Sequence, residues 1–207
     1  MTAEQKFTAF ERMLSDWGRR MNLVSKGSLS NIRERHINDS LQLAAHIPKD
    51  KTVIDLGSGA GFPAAVLAIL GYKVIAIESI GKKCRFLEAL KSELNLPNLT
   101  IINDRVENAL PRIAGKGFRA ENYIFTARAF APLIRILDLT QKLDIPYVLL
   151  KGKSAPDEIA LALGKYNFGA EMIQSATGDG FIVKLTINRL CAAKRKNTLP
   201  HMRTIVS

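Results

Sequence analysis

Asp55-Leu56-Gly57-Ser58-Gly59-Ala60-Gly61 is the stretch that decides the fold class of this chain. It ends a short apolar run, 52–56, that is typical of a buried strand. Its glycines let the backbone approach a ligand closely, because no Cβ stands in the way. In open α/β sheets, ligands bind at the carboxyl ends of the strands. The stretch therefore predicts a ligand-binding turn between a first strand and a helix over 62–70.

The spacing of the glycines and the next acid narrow the ligand. The dinucleotide fingerprint is GxGxxG, whereas here the third glycine comes one residue earlier. Glu78 ends the second predicted strand, where a carboxylate can accept hydrogen bonds from both hydroxyls of a ribose. Nicotinamide enzymes use the same device, so Glu78 indicates an adenosine ribose without naming the cofactor. The glycine spacing favours S-adenosylmethionine.

Strand and helix patterns alternate along the rest of the chain. Strands are predicted at 72–77, 99–103, 123–126, 146–150, 171–175 and 181–188, and helices at 62–70, 82–94, 132–143 and 156–163. Two amphipathic helices, 2–24 and 28–47, precede them, the second capped by Ser28 or Ser30. This order predicts an α/β fold of the class I (Rossmann-like) methyltransferase type. Its sheet would be seven-stranded and mostly parallel, with a C-terminal antiparallel hairpin and an N-terminal helical extension.

The chain divides into three parts on these patterns. They are a helical extension over 1–50, an S-adenosylmethionine-dependent methyltransferase domain over 51–190, and a basic tail over 191–207 that lacks periodicity and is expected to be mobile. No apolar run reaches the ~20 residues of a membrane span, and the polar segment 1–16 does not resemble a signal peptide. Cys84 and Cys191 form no metal-binding or disulfide pattern, which favours a cytoplasmic protein without a metal.

The balance of charge is the first indication of a partner. The 30 Lys and Arg residues exceed the 19 acidic residues, which leaves a formal net charge of +11. The segment 191–207 carries four basic residues and no acid, so most of the excess lies elsewhere. A basic surface attracts polyanions such as nucleic acid or anionic lipid. Charge therefore favours a nucleic-acid partner, although many basic proteins bind none.

Several side chains allow two interpretations. The segment 103–107 follows the third strand, where it would face an adenine ring or form a solvated, charged loop. His36 and Asp39 lie one helical turn apart, and they would either pair to close the site or link the N-terminal helices to the sheet. Phe62 and Phe130 would either stack on a base or on adenine, or belong to the core.

Seven segments, read together and in order, point to one family. They are 17–23, 36–41, 55–63, 78–87, 105–107, 128–131 and 151–152. In these segments the chain resembles the bacterial glucose-inhibited-division-B family, also called RsmG, whose members are guanine-N7 methyltransferases of small-subunit (16S) ribosomal RNA. His-x-x-Asp-Ser at 36–40 and Arg-Ala-Phe-Ala at 128–131 narrow the broader class to this family. The chain departs from the family at Gly18, where Asn is usual, and at Ala64, where Gly is usual.

The resemblance implies S-adenosylmethionine as cofactor and 16S rRNA or the small ribosomal subunit as partner. It implies cofactor contacts at Gly57, Gly59, Phe62, Glu78, Val106, Glu107 and Arg128, to which the glycine pattern adds Gly61. It places Arg128 near the reacting centre, as the candidate catalytic residue. It gives Lys82, Lys83 and Lys151, together with His36, a role in contacting RNA or in structure. The active form is expected to be a monomer.

The chemistry of this reaction rests mainly on positioning. Guanine N7 carries a free lone pair, so its methylation needs no general base, and orientation supplies much of the rate. Arg128 would then orient the cofactor or a phosphate, or it would tie a loop to a helix. Three other functions stay open: methyl transfer to a small molecule or a protein, nicotinamide-dependent oxidoreduction, and RNA binding without catalysis.

Overall fold

An eight-stranded sheet forms the centre of the protein in a computed structural model, which describes residues 1–19, 21, 23, 31–187 and the backbone of 202–205. The strands are β1 (Thr52–Leu56), β2 (Lys73–Glu78), β3 (Leu99–Asn103), β4 (Tyr123–Thr126), β5 (Tyr147–Lys151), β6 (Phe168–Gln174), β7 (Phe181–Ile187) and β8 (Met202–Ile205). The α-helices are α1 (Ala3–Gly18), α2 (Asp39–Leu41), α3 (Ala64–Ile69), α4 (Gly81–Glu93), α5 (Val106–Ile113), α6 (Leu133–Thr140) and α7 (Ala155–Leu163). A π-helix spans Arg33–Asn38, and 3-10 helices span Gln42–Ala45, Ala120–Asn122 and Gln141–Leu143.

The order of the strands places a ligand crevice. Neighbouring strands follow the order β3-β2-β1-β4-β5-β7-β6-β8. Strands β1 to β5 are parallel, and β7 is antiparallel to both β5 and β6. These seven strands confirm the predicted sheet and its antiparallel hairpin. The chain builds outward from β1 to β3 and then crosses back to β4, and ligands of such sheets bind where the order reverses.

Helices cover both faces of the sheet. Helices α1, α3 and α4 share one core with Val53 and Val74, while α5, α6 and α7 share a second core with Ile54 and Phe125. Because both faces are covered, β1 is buried throughout 53–56 and its sequence is a continuous apolar run instead of an alternating one.

The first helix follows its sequence pattern closely. Phe7, Phe10 and Leu14 form the buried stripe of α1, and Thr2 with Gln5 forms a capping box at its start. The helix ends at Gly18, earlier than the predicted boundary at 24.

The second predicted helix, 28–47, is not one regular helix. Ser28 and Ser30, its candidate caps, lie outside the described residues. From residue 33 the chain forms the π-helix, then α2, then a 3-10 helix. The Ser40 hydroxyl donates a hydrogen bond to the His36 carbonyl at 2.7 Å, a type of contact that bends helices. Widened turns of this kind are frequent at functional sites.

Helix α5 was absent from the sequence prediction. Its apolar residues Val106, Ala109, Leu110 and Ile113 do follow helical spacing. The helix is, however, only eight residues long and contains Pro111, and the charged residues before it are typical of a loop.

The C-terminal tail also differs in part from its predicted lack of regular structure. Strand β8 pairs in parallel with β6 at the edge of the sheet, over 170–173 and 202–205. The remainder of 188–207, including Cys191, lies outside the described residues. Within the described part of the chain, no helix is long and apolar enough to cross a membrane. The same residues contain no cluster of three or more His, Cys, Asp or Glu arranged to hold a metal.

Candidate active site

A cleft of about 350 Å³ opens at the carboxyl ends of β1, β2 and β3, beside the reversal of strand order. Its lining consists of Gly57, Ile77, Ser79, 104–107, Phe130, Ala131, Arg135 and Leu139. Three of the segments singled out from the sequence, namely the glycine turn, the end of the second strand and 103–107, therefore meet here.

The glycine turn adopts a conformation that only glycine allows without strain. Gly57, Gly59 and Gly61 have φ angles of +70°, +57° and +93°. The amide groups of Gly57 and Ser58 both donate to the Ile77 carbonyl, at 2.9 and 3.0 Å, which binds the turn to β2. A Cβ on Gly57 would lie 2.3 Å from the ring of Phe130. The turn is therefore held close to β2 and beneath Phe130.

Glu78 is buried, and its carboxylate shapes the turn. One oxygen accepts from the Gly59 amide and the other from the Ile80 amide, both at 2.8 Å. A carboxylate has about four lone-pair positions, so acceptor capacity remains for two ribose hydroxyls. Glu78 thus makes a structural contact that the sequence does not predict. The predicted contacts with ribose would use its remaining lone pairs.

The segment 103–107 is the start of a helix that borders the cleft. The Asp104 carboxylate accepts hydrogen bonds from Asn108 Nδ2 at 2.9 Å and the Arg105 amide at 2.7 Å. These bonds, that of Asn108 first, hold the pKa of Asp104 below its usual value. Val106 is buried at the cleft, while the exposed Glu107 pairs with Arg135 at 3.0 Å. A solvated loop is therefore the wrong description of this segment.

The lining suits an adenosyl group. Ile77, Val106 and Leu139 offer an apolar wall for an aromatic ring. Glu78 is buried between the lining residues Ile77 and Ser79 and does not itself line the cleft, whereas Gly57 does line it. The residues present therefore fit the cofactor that the sequence implied.

Asp55 lies beneath this turn, completely buried. Burial raises its pKa to about 7. The Ser58 hydroxyl and the Ala64 amide oppose this shift, but neither forms a hydrogen bond of normal geometry with the carboxylate. The hydroxyl of its strand neighbour Thr126 has no hydrogen-bond partner among the described residues. These two polar groups are thus a pair of unsatisfied neighbours inside the sheet.

Arg128 follows β4 and connects the sheet to the N-terminal helices. Its Nε lies 2.8 Å from Asp39 Oδ2, and its terminal nitrogen donates to the Arg35 carbonyl at 2.7 Å. Burial lowers the pKa of Arg128 while Asp39 opposes that shift. Arg128 lines a pocket next to the cofactor cleft, not the cleft itself. Its contacts here match the role of an arginine that ties a loop to a helix.

His36 does not pair with Asp39, so that predicted hydrogen bond is wrong. The His36 ring instead stacks on Phe62, with centroids 5.0 Å apart, while Asp39 takes the charged partner Arg128. Burial, and then the nearby charge of Arg128, lower the pKa of His36 to about 4. The imidazole is therefore neutral at neutral pH. The other prediction is that this segment links the N-terminal helices to the sheet. The ion pair between Asp39 and Arg128 makes that link.

The two phenylalanines have different environments. Phe62 is 6% exposed and stacks on Phe10 at 5.0 Å as well as on His36, so it belongs to the core. Phe130 is partly exposed and lines the cleft above Gly57. Only Phe130 is placed to meet a ligand.

The three lysines singled out from the sequence are not in one place. Lys82 is exposed and Lys83 partly exposed at the start of α4. Lys151 is largely buried, lies 2.6 Å from Glu158 Oε2, and donates to the Ala131 carbonyl at 2.9 Å. Lys151 therefore ties β5 to α7 and to the segment after Arg128.

A second pocket, of about 230 Å³, was not anticipated. It is lined by Arg35, Asp39, Arg128, 150–152, Ser175 and 177–181. The turn between β6 and β7 contributes five of the twelve lining residues. In the sequence, only the turn-rich run 177–180 indicates this pocket, and similar runs also occur in loops that have no function.

Comparison with known proteins places these features in a class. An O-methyltransferase from Bacillus cereus, solved in complex with SAH, has the same fold, with 16% identity and a TM-score of 0.60 over 86% of this chain and 90% of that one. The fold is therefore that of the Rossmann-like methyltransferases. The chain belongs to the family of rRNA small subunit methyltransferase G (GidB), whose profile matches residues 3–178.

Relatives within the family cover most of the chain. The ribosomal RNA small subunit methyltransferase G of Orientia tsutsugamushi (strain Boryong) is 41% identical over 178 residues, which are 84% of this chain and 85% of the relative. That of Rickettsia prowazekii (strain Madrid E) is 38% identical over 186 residues, 87% and 92% of the two chains. The family assigned from the seven segments is confirmed.

Proposed function

We propose that this protein transfers a methyl group from S-adenosylmethionine to N7 of a guanine in 16S ribosomal RNA. The observation that carries the proposal is the cleft at the reversal of strand order, where a positive-φ glycine turn is bound to Glu78, in a chain of the methyltransferase G family. The relatives are named for modification of small-subunit rRNA.

The reaction requires little acid–base chemistry from the protein. When bound, S-adenosylmethionine supplies an electrophilic methyl group. The guanine N7 lone pair can accept that group without losing a proton, so no residue has to act as a base. The carboxyl of Asp55, with a pKa of about 7, is buried beneath the turn and does not line the cleft. The work of the protein is then to bind and orient two partners.

The residues near the cleft have different proposed roles in this binding and orientation. Glu78 holds the turn and accepts hydrogen bonds from the ribose hydroxyls. The glycines of the turn, Gly57, Gly59 and Gly61, allow the cofactor to approach the backbone closely. Val106 and Glu107 border the adenine. Arg128 is proposed to orient the RNA beside the reacting centre, from the pocket next to the cleft. Lys82 and Lys83 are proposed to contact phosphates, whereas Lys151, His36 and Phe62 support the site through their packing.

The form and location of the active protein are part of the proposal. The active form is proposed to be a monomer. A ribosomal RNA substrate supports a cytoplasmic location.

The test is methyl transfer from labelled S-adenosylmethionine to small ribosomal subunits, and to naked 16S rRNA, from cells that lack the protein. We expect one new 7-methylguanosine in 16S rRNA and none in large-subunit RNA. Glu78→Ala should weaken cofactor binding at least about tenfold by calorimetry, because a buried acceptor is lost. Glu121→Ala, at an exposed acid in the 3-10 helix before β4, is the control.

Three results would replace the proposal. Label in a small molecule or protein but not in RNA would favour another methyltransferase. Stabilisation by NAD in place of S-adenosylhomocysteine would favour an oxidoreductase. RNA binding with no affinity for any adenosyl cofactor would favour a non-catalytic RNA-binding protein.

A further inference from the structure

The pocket beside the cofactor cleft has a fixed wall, formed by the turn between β6 and β7. Gln42 accepts a hydrogen bond from the Ala176 amide at 2.7 Å. The Gln42 amide nitrogen also lies within hydrogen-bond distance of the hydroxyls of Ser175 (3.1 Å) and Thr177 (3.0 Å). The start of the turn is thus bound to the N-terminal helices.

The end of the turn is bound to the sheet. Gln174 Nε2 donates to the carbonyls of Gly178 and Gly180, at 3.3 and 3.1 Å. A Cβ on Gly180 would lie 2.6 Å from the Lys151 carbonyl oxygen, so only glycine lets the turn approach β5 so closely. The turn is therefore held at both ends, with 176–179 exposed to solvent.

This wall carries one available carboxylate. Both oxygens of Asp39 are engaged, Oδ2 with Arg128 at 2.8 Å and Oδ1 with the Thr177 hydroxyl at 3.0 Å. Asp179 also lines the pocket, and its carboxylate has no hydrogen-bond or ion-pair partner within the described ranges. Asp179 is therefore the acceptor that a ligand in this pocket would meet.

We infer that this pocket receives the target guanine and that Asp179 accepts hydrogen bonds from its N1–H and 2-amino groups. The inference rests on the proposed function and adds the recognition of the base to it. Guanine presents two neighbouring donors on this edge, which match the two oxygens of a carboxylate. Adenine would present a lone pair at N1 to the same carboxylate and would be repelled.

The position of the pocket suits transfer to N7. A third depression, lined by 129–132, 150–152 and Glu158, shares Phe130 with the cofactor cleft and Gly152 with the pocket. The Glu158 carboxylate is already engaged by Lys151 at 2.6 Å. The third depression therefore adjoins both the cleft and the pocket through shared lining residues. N7 lies on the guanine edge away from N1 and the 2-amino group. A base held by Asp179 therefore keeps N7 free to face the cleft, while Arg35 and Arg128 remain for the RNA backbone.

The experiment compares the Asp179→Asn variant with the wild-type protein on two 16S rRNA substrates. One substrate carries guanosine, and the other inosine, at the position that the wild-type protein methylates. Inosine lacks the 2-amino group but keeps N1–H. We expect the wild-type kcat/KM to be about tenfold to a hundredfold lower on inosine than on guanine. Asp179→Asn should lose a similar factor on guanine, and its two rates should be nearly equal. Asp50→Asn, the same change at the opposite end of the sheet, should behave as wild type.

Each result has one meaning. The inference is overturned if Asp179→Asn keeps the wild-type rate on guanine, or keeps the wild-type ratio between the two bases. It is also overturned if the variant loses affinity for S-adenosylhomocysteine to the same extent as activity, since the pocket would then serve the cofactor. A wild-type protein that methylates no 16S rRNA would overturn the proposed function itself. Thermal unfolding verifies that each variant is folded.

Discussion

Among single residues, Asp55 makes a prediction about pH because its carboxyl is buried in the sheet without a hydrogen-bond partner in the described part of the chain. Burial raises its pKa from 3.8 to about 7, so the folded protein holds a proton in this range that the unfolded chain has released. The contribution of Asp55 to stability is therefore greatest below the unfolded pKa. It is lost as the pH rises to about 7.

Replacing this residue should remove that dependence. The free energy of unfolding of Asp55→Asn, relative to wild type, should increase as the pH rises from about 4 to about 8, by about 4 kcal/mol at most. Urea unfolding across this range measures the difference. Asp50→Asn, an exposed acid just before β1, should run parallel to wild type. Parallel curves for Asp55→Asn as well would mean that Asp55 titrates normally.

At this scale the sequence predicts the residues whose role depends on local spacing. Gly57, Gly59 and Glu78 lie at strand ends, and the structure brings them together, with Glu78 bound to the Gly59 amide and Gly57 lining the cleft. The partner of Asp39 could not be predicted in the same way. His36 is its neighbour on the helix, yet Arg128, far along the chain, is its partner, because folding brings opposite charges together there.

Among the elements, α1 supports the cofactor turn through one side chain. Phe10 is fully buried, stacks on Phe62, and would lie 3.3 Å from a Cβ placed on Gly61. Leu14 is equally buried on the same helix. Of these two fully buried residues of α1, only Phe10 contacts the glycine turn.

The two residues make a matched pair of substitutions. Phe10→Ala and Leu14→Ala should each cost about 3–5 kcal/mol of stability, because each leaves a cavity. Only Phe10→Ala should also weaken S-adenosylhomocysteine binding, by several-fold, since Phe62 and Gly61 lose their support. Denaturant unfolding and calorimetry separate the two effects. Equal losses of affinity would show that α1 supports the turn only through general stability.

Elements with a strong pattern were predictable and those without one were not. The bounds of β1, β3 and β4 match the sequence prediction to the residue. The π-helix was missed because a widened turn departs from the 3.6-residue period. Helix α5 was missed because it is only eight residues long and contains an internal proline. Strand β8 has no periodic signal of its own, and its place depends on pairing with β6.

For the whole molecule, the net charge of +11 predicts how binding to RNA depends on salt. Each phosphate contact releases counterions, so the logarithm of the binding constant should fall linearly with the logarithm of salt concentration. Lys82 is exposed where α4 begins, just after the end of β2 at the cleft. Lys73 is equally exposed at the start of β2, at the opposite end of the sheet.

These two lysines test whether charge acts at the cleft or over the entire surface. Lys82→Ala should weaken binding to small-subunit rRNA and reduce the salt slope by about 1, the effect of one lost phosphate contact. Lys73→Ala removes the same charge and should leave the slope unchanged, because its end of the sheet faces away from the cleft. Filter binding between about 50 and 200 mM salt measures both slopes. Equal reductions would mean that RNA is held by overall charge, so the carboxyl ends of the strands would not be the RNA-binding face.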